Sequence, residues 1–194
     1  MSYSLIDAES VAAQPWRNGG GRTRELLVWP ATGDWQLRIS RADVDAHGPF
    51  SAFPRVQRWF AVLRGNGVVL SFATTNHELK AGDAALHFDG GDAPDCRLIA
   101  GPTQDLNLML RHGAATMRRA HREEAWNEPF AQRGLYTTVP GQWSNGMQTR
   151  AVAANTLLWA ASESAGAWRF ESDGIEPAGT AWWLGFTPAS ADRH

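Results

Sequence analysis

DLNLMLR, residues 105–111, alternates between polar and largely apolar side chains over most of its length. Successive side chains of a β-strand point to opposite faces, so the alternation puts Leu106, Leu108 and Leu110 on one face. The opposite face carries Asp105, Asn107, Met109 and Arg111. The stretch therefore predicts a strand with one apolar face and one mainly polar face.

The same alternation recurs in WQLRIS, residues 35–40. It puts Trp35, Leu37 and Ile39 on one face and Gln36, Arg38 and Ser40 on the other. Residues 58–72 and 77–88 contain further strand patterns, and we expect a hairpin turn at 65–67 and a tight turn at 81–83. Short strands separated by glycine, proline and aspartate turns predict an all-β fold, either a sandwich, a barrel or a jelly roll.

Residues 115–133 differ from the rest because they are charged and compatible with a short helix or a linker as far as Pro129. Their basic group is followed at once by Glu123 and Glu124, so we interpret it as a solvated face: Arg118, Arg119, His121 and Arg122. Strand-like stretches resume in GLYTTV, NTLLWAAS, GAWRFES and GTAWWLGFTP. We predict a first β-unit over residues 1–113 and a connector with a second β-unit over 114–194. The alternative is one compact domain.

The composition excludes several classes of protein. Of the 194 residues, 43% are hydrophobic and 20% charged, and the formal charge of −2 gives no overall reason to bind nucleic acid or a membrane surface. The single cysteine, Cys96, cannot form an internal disulfide and favours a reducing compartment. No secretory signal pattern and no apolar run of about 18 residues is present. We therefore expect a cytoplasmic protein with neither a membrane nor a nucleic-acid partner.

Three consecutive glycines stand in PWRNGGGRTREL, residues 15–26. A P-loop needs wider glycine spacing and a lysine before Ser or Thr, and a dinucleotide-binding loop needs a following helix, whereas a strand pattern follows here. Both nucleotide-binding interpretations fail. Two remain: the backbone N–H groups, with Asn18 and Arg17 or Arg22, receive a small anionic or polar ligand, or the segment is a crossover loop between sheets.

Metal and nucleophile patterns are missing from the sequence. The histidines show neither H-x-H nor H-x-x-x-H spacing: His47, His77, His87, His112, His121 and His194. We therefore expect no metal and no cofactor. Cys96 has no histidine partner nearby in the sequence, and no serine lies in a G-x-S-x-G motif, so no catalytic nucleophile is predicted.

The polar strand faces are more informative. Six polar residues in three different strand patterns could all project to the same side: Arg38, Ser40, Arg58, Asp105, Asn107 and Arg111. In an open sheet that side faces solvent, and in a closed one it lines a cavity. Several arginines cannot be desolvated together without an anion or acidic groups. A closed sheet would therefore predict a carboxylate-bearing ligand.

Three stretches resemble, in order, the motifs of the HutD/Ves family: PWRNGGGRTREL, ISRADVDAHGPFSAFPRVQRWFAVLRGNG and DLNLMLRHG. The resemblance is dense over residues 14–112 and weak beyond. The positions that match the family motifs are Trp16, Arg17, Asn18, Gly19, Gly20, Gly21, Thr23, Glu25, Gly48, Pro49, Phe50, Ser51, Phe53, Arg58, Asp105, Asn107 and Met109. Arg55 stands where the family commonly has glycine, and Gln57 where it commonly has aspartate, so we expect the turn and the chemistry near Arg58 to differ from those of the family.

The resemblance implies a cupin-like jelly roll, in the form of a bicupin of two packed β-barrel units, without the usual metal-binding histidines and often as a homodimer. HutD proteins are associated with histidine utilisation, with a proposed regulatory role in sensing an intermediate such as urocanate or N-formylglutamate. No catalytic activity is implied. Ves-like members are linked instead to cold stress, and the motifs do not separate the two branches.

We therefore predict a non-enzymatic regulatory protein that binds a small carboxylate. Arg58 is the predicted carboxylate clamp. The predicted polar supports are Arg38, Ser40, Asn18, Ser51 and Asn107, and the predicted apolar wall is Phe53 and Trp16. One alternative is a metal-independent isomerase or lyase with Glu25, His87 or Asp105 as its base. Another is an interaction protein whose tryptophans form a dimer surface.

Overall fold

The computed structural model describes residues 3–162, 166–174 and 181–189, so His194 and the first two residues of the predicted strand GTAWWLGFTP lie outside the described residues. The strands, in chain order, are β1 (Tyr3–Asp7), β2 (Gln14–Pro15), β3 (Gly21–Trp29), β4 (Leu37–Val44), β5 (Gly48–Pro49), β6 (Gln57–Arg64), β7 (Val68–Ser71), β8 (Asn76–Leu79), β9 (Leu86–Asp89), β10 (Asp95–Leu98), β11 (Thr103–Leu110), β12 (Ala114–Arg119), β13 (Gln132–Thr137), β14 (Gly141–Ser144), β15 (Thr149–Val152), β16 (Thr156–Ala160), β17 (Arg169–Ser172) and β18 (Ala181–Thr187). Within the described ranges the only helical element is a 3₁₀ turn, Gly90–Asp92. The predicted all-β class is therefore confirmed.

The chain divides into two units. The N-terminal unit is Val11–Arg111, and the C-terminal unit combines Met1–Ser10 with His112–His194. The first ten residues belong to the C-terminal unit because β1 pairs with β16 along its whole length. None of the helices in the described part of the chain could cross a lipid bilayer.

The N-terminal unit contains two antiparallel sheets. One has six strands in the order β2-β3-β4-β11-β6-β9, and the other has four in the order β5-β10-β7-β8. The long strand β11 lies between β4 and β6 and pairs with both over seven or more residues. An apolar cluster formed by both sheets includes Phe60, Val68 and Leu70, each fully buried. The predicted site lies on strands of the six-stranded sheet.

Two local predictions in the sequence are wrong. The turn at 65–67 joins β6 of the six-stranded sheet to β7 of the four-stranded sheet, so the two strands do not pair as a hairpin. The start of segment 115–133 is neither helix nor linker, because β12 pairs with β18 from Ala114 to Arg119. Pairing with a neighbouring strand outweighs the weak helix propensity of this charged segment.

The C-terminal unit contains a five-stranded sheet, in the order β1-β16-β13-β18-β12, and a three-stranded sheet, β15-β14-β17. Its core is built on tryptophans. Trp168 is fully buried and its ring contacts those of Trp126, Trp143 and Trp183 at centroid distances of 5.9, 4.8 and 6.1 Å. Large aromatic side chains bury much apolar area each, so four of them stabilise a small unit.

Candidate functional site

A cavity of about 540 Å³ lies in the N-terminal unit. All eight side chains predicted as ligand-binding residues line it: Trp16, Asn18, Arg38, Ser40, Ser51, Phe53, Arg58 and Asn107. The volume is within the range of about 300–1,000 Å³ that small-molecule sites occupy. The polar strand faces therefore line a cavity, and their role in binding stays a prediction.

The register of three strands brings the polar residues together. Met109 on β11 lies between Arg38 on β4 and Arg58 on β6. Two residues earlier, Asn107 lies between Ser40 and Phe60 in the same way. Residues two apart on a strand share a face, so these side chains form two adjacent rows on one face of the sheet.

Arg58 is the most buried cation of the cavity, with 5% of its surface exposed. Its guanidinium carbon lies 5.0, 5.8 and 5.2 Å from the ring centroids of Phe50, Phe53 and Phe88. Its Nη2 donates a hydrogen bond of 2.8 Å to Oδ1 of Asn107, whereas its Nε has no hydrogen-bond partner among the described residues. Burial lowers the pKa of Arg58 to about 10, so the side chain is still a cation at neutral pH.

Asp105 lies beside this arginine and is 1% exposed. Asn107 joins the two, because its Nδ2 donates a hydrogen bond to Oδ1 of Asp105 while its Oδ1 accepts one from Arg58. Oδ2 of Asp105 has no hydrogen-bond partner in the described ranges. Burial raises the pKa of Asp105 to about 8, against the opposing effects of the Arg58 charge and the Asn107 hydrogen bond.

A second arginine of the cavity is already paired. Nε of Arg38 lies 3.3 Å from Oε2 of Glu25, at a distance that makes an ion pair although the geometry is not that of a hydrogen bond. The Arg38 guanidinium also lies 5.9 Å from the ring centroid of Phe53. Two guanidinium groups of the cavity, those of Arg38 on β4 and Arg58 on β6, therefore lie near the ring of Phe53.

The glycine loop forms part of the cavity wall with its side chains. Trp16 Nε1 donates a hydrogen bond of 2.8 Å to Thr23 Oγ1, and Asn18 Oδ1 accepts one of 3.0 Å from the N–H of Gly20. The N–H of Gly19 is bonded to the carbonyl of Trp16. Because the loop itself accepts hydrogen bonds from the N–H groups of Gly19 and Gly20, a backbone anion cradle would lack these two donors. Of the three glycines, Gly19 alone uses the conformational freedom of glycine, with a φ of 70°.

The three candidate bases fall in two places. Glu25 and Asp105 line the cavity. His87 does not: it stacks on Trp59 at 4.1 Å and lines a separate cavity of about 380 Å³. Cys96 is buried, and burial raises the pKa of its thiol to about 12. In the part of the chain that the structure describes, no group of three or more His, Cys, Asp or Glu side chains could hold a metal ion.

Several cavity residues were not among the eight predicted ligand contacts, although Arg17 belongs to the glycine-loop interpretation and Glu25 and Asp105 were alternative bases. They are Gln14, Pro15, Arg17, Thr23, Glu25, Ala42, Pro49, Phe50, Asp105 and Met109. Asp105 and Met109 share the polar face of DLNLMLR with Asn107, so the alternation alone could have included them. Phe50 had no such signal, because its place follows from the chain path between β5 and β6.

Arg55, one of the two departures from the family motif, adopts a positive φ of 62°. This is the left-handed region in which glycine is favoured. A glycine at this position would adopt this backbone conformation without the steric cost that the Cβ of Arg55 carries.

Comparisons with known proteins agree on one family. The sequence model of the HutD family matches residues 8–176. Protein Ves of Citrobacter koseri is 30% identical over 149 residues, which cover 75% of this chain and 76% of that protein. An uncharacterised 21.2 kDa protein from the region 3' of hutC in Pseudomonas putida is 34% identical over 108 residues, covering 54% of this chain and 56% of that protein.

Solved structures give the same fold. A conserved protein of unknown function from Pseudomonas aeruginosa PAO1 superposes with a TM-score of 0.84 at 28% identity, covering 96% of this chain and all of the other (100%). HutD from Pseudomonas fluorescens SBW25 superposes with a TM-score of 0.81 at 22% identity, covering 97% of this chain and 100% of the other. A variant of oxalate decarboxylase from Bacillus subtilis, a cupin-like protein, superposes with a TM-score of 0.62 at 10% identity. The match covers 96% of this chain and 78% of the other. The fold is therefore all-β, with cupin-like proteins among its structural neighbours.

Proposed function

The chain belongs to the HutD family, and we propose that it is a cytoplasmic, non-enzymatic protein of histidine utilisation that binds a small carboxylate in the cavity around Arg58. The ligand is an intermediate such as N-formylglutamate or urocanate, and binding serves a regulatory role. The proposal extends to a bicupin in which the N-terminal unit, Val11–Arg111, and the C-terminal unit, Met1–Ser10 with His112–His194, are both jelly rolls. We also propose that the protein assembles as a homodimer, and light scattering measures its molar mass in solution.

The observation that carries the proposal is the state of Arg58. A buried guanidinium is costly unless its donors are satisfied, and here Nε has no acceptor among the described residues although the side chain borders an open cavity. A carboxylate accepts two parallel hydrogen bonds from a guanidinium. The rings of Phe50 and Phe53 offer an apolar wall for the remainder of such a ligand.

Calorimetric titration with N-formyl-L-glutamate and with urocanate tests the proposal. Arg58→Met keeps an unbranched side chain and removes the charge, so we expect about 100-fold weaker binding, as for the loss of a charge-assisted hydrogen bond of about 3 kcal/mol. Arg133→Met is the matched control. Arg133 is also a buried arginine packed on aromatic rings, Trp126 and Trp168, but it is in the C-terminal unit and does not line the cavity.

Three results contradict the proposal, the last two of them from the variants. The first is that neither compound binds to the wild-type protein. The second is that Arg58→Met binds as tightly as wild type, and the third is that Arg133→Met weakens binding as much as Arg58→Met does.

An enzyme is the second candidate, and Asp105 is the observation that favours it. A carboxyl group with a pKa of about 8 beside a cavity has the proton affinity expected of a general acid or base at neutral pH. Turnover of either compound by wild type, absent in Asp105→Asn and retained in Glu25→Gln, would identify an isomerase or lyase instead of a binding protein.

A further inference from the structure

Asp105, Asn107 and Arg58 form one hydrogen-bonded group at the cavity wall. Asn107 uses its amide in one orientation only, donating from Nδ2 to Asp105 and accepting at Oδ1 from Arg58. The charge of Arg58 is therefore linked to the carboxyl group through a single side chain. Oδ2 of Asp105 is left over, buried and without a hydrogen-bond partner among the described residues.

An ionised carboxylate only accepts hydrogen bonds, whereas a protonated one also donates. A buried, unpartnered carboxylate oxygen is unfavourable as an anion, and a protonated Oδ2 gains the ability to donate to an acceptor placed in the cavity. A carboxylate ligand bound to Arg58 is such an acceptor.

The charge balance of the cavity favours the same state. Three arginines line it, Arg17, Arg38 and Arg58, against Glu25 and Asp105. When Asp105 is ionised, its charge already compensates that of Arg58, and an arriving anion meets a like charge. When Asp105 is protonated, the excess positive charge of the cavity doubles from one to two. An anion and an ionised Asp105 therefore compete for the same guanidinium.

We propose that the anion held by Arg58 binds together with a proton on Asp105, whose Oδ2–H then donates a hydrogen bond within the ligand site. The inference rests on the proposed carboxylate-binding function and adds a specificity-determining residue to it. The ligand class becomes narrower: the site selects an anionic acceptor and discriminates against a ligand group that can only donate.

Among the titratable groups around Asp105 with shifted pKa values, Asp105 is the one that changes its protonation state near neutral pH. Arg58 on β6 has a pKa of about 10, and Cys96 on β10 has a pKa of about 12. On β4, Asp43 has a lowered pKa and stays ionised, while Arg38 is ion-paired with Glu25 of β3. Between about pH 6.5 and 9 the titration of this group of residues is therefore that of Asp105.

The test is a calorimetric titration of N-formyl-L-glutamate at several pH values, because this compound has no group that titrates between about pH 6.5 and 9. With a pKa of about 8, roughly a tenth of Asp105 is protonated at pH 9, so we expect about tenfold weaker binding there than at pH 7. Titration in buffers of different ionisation enthalpy should show proton uptake that approaches one per ligand at about pH 9 and is small at about pH 6.5.

Two variants separate this effect from a merely structural one. Asp105→Asn cannot ionise and keeps a donor, so its affinity should be the same at pH 7 and 9, and about tenfold above wild type at pH 9. Glu25→Gln removes a negative charge from the same cavity but should keep the pH dependence of wild type. If Asp105→Asn does not fold, carbon NMR of the aspartate carboxyl groups in the wild-type protein should show one pKa that rises when the ligand is added.

The outcomes distinguish the two proposals. If N-formyl-L-glutamate and urocanate do not bind at any pH, the proposed function fails. If N-formyl-L-glutamate binds with the same affinity from pH 6.5 to 9, or with an unchanged pH dependence in Asp105→Asn, the protein binds a carboxylate but the coupling to Asp105 is refuted. A carboxyl pKa that falls on ligand addition refutes it as well.

Discussion

The three glycines of the N-terminal loop should differ sharply in their tolerance of alanine, because the structure gives each a different reason to be small. A Cβ on Gly21 would lie 2.3 Å from the carbonyl oxygen of Asp43 and 3.1 Å from the ring of Trp16. Gly19 has open space around it but a φ of 70°. Gly20 has neither a positive φ nor a backbone contact, and its Cβ would touch only the side chain of Asn18, at 3.3 Å.

The magnitudes follow from these contacts. Gly21→Ala requires β3 and β4 to separate locally by nearly 1 Å, and overpacking of this kind, with strained ladder hydrogen bonds, costs about 3 kcal/mol. Gly19→Ala places a side chain in the left-handed region at a cost of about 1–2 kcal/mol, reduced by the lower entropy of the unfolded chain to about 1 kcal/mol. For Gly20→Ala, the lower entropy of the unfolded chain stabilises the protein by about as much as the tight contact with Asn18 destabilises it. The free energy of unfolding should therefore change by no more than about 0.5 kcal/mol.

Thermal unfolding followed by circular dichroism measures the series. At about 2–4 °C per kcal/mol for a chain of this size, we expect Tm to fall by about 6–12 °C for Gly21→Ala, about 2–4 °C for Gly19→Ala and less than about 2 °C for Gly20→Ala. Gly33→Ala is the matched control for Gly19→Ala, since Gly33 has a φ of 80° and also nothing within 4 Å of its Cβ. Equal losses at all three positions, or a Gly20→Ala variant as unstable as Gly21→Ala, would refute the assignment.

Three further predictions concern single side chains. Arg55→Gly should raise the free energy of unfolding by about 0.5–1 kcal/mol, because Arg55 is exposed and has a φ of 62°; a lower urea midpoint would contradict this. Trp16→Phe should cost about 1 kcal/mol through loss of the hydrogen bond to Thr23, and in a double-mutant cycle with Thr23→Val the two losses should not add; additive losses would exclude the bond as their cause. The pKa of Asp105 rises from 3.8 to about 8 on folding, so the folded state binds more protons than the unfolded state between these pH values, and the free energy of unfolding should fall as pH increases through that range. Asp105→Asn should reduce this fall, which urea midpoints at about pH 5 and 8 measure. An unchanged fall in the variant would show that another group causes it.

Alternation within single strands was enough to predict the faces of β4 and β11. Leu106 and Leu108 are fully buried, and Asn107 faces the cavity, as the period of two requires. The same reasoning failed at residues 65–67, where a local turn pattern gives the reversal but not the sheet that the next strand joins. It failed again at β12, because pairing with β18 depends on residues nearly 70 positions away.

The sequence predicted which residues line the cavity better than it predicted the hydrogen bonds between them. Arg38, Arg58 and Asn107 were grouped because each lies on a polar strand face, and the register of β4, β11 and β6 brings them to one cavity. The hydrogen bonds of Asn107 to both Asp105 and Arg58 depend on side-chain orientation across two strands. No sequence pattern reports such an orientation, so Asp105 was predicted as a member of the polar face and as an alternative base, but not as a neighbour of Arg58 through Asn107.

Burial of an arginine among aromatic rings does not by itself indicate a ligand site, and the two examples in this chain show what does. Arg133 lies 4.9 Å from the ring centroid of Trp168, and its Nη2 donates to the carbonyl of Gly166, so part of its hydrogen bonding is satisfied by backbone. Arg58 instead borders an open cavity and shares Asn107 with a buried carboxyl group. Arg38 also lines the cavity, but its Nε is ion-paired with the partly exposed Glu25. At Arg58 a cavity, an Nε without a hydrogen-bond or ion-pair partner among the described residues, and a buried carboxyl group coincide. If anion binding survives Arg58→Met but not Arg133→Met, the combination of cavity, unpaired Nε and carboxyl neighbour does not identify the ligand site. The anion would then depend on the arginine that does not line the cavity.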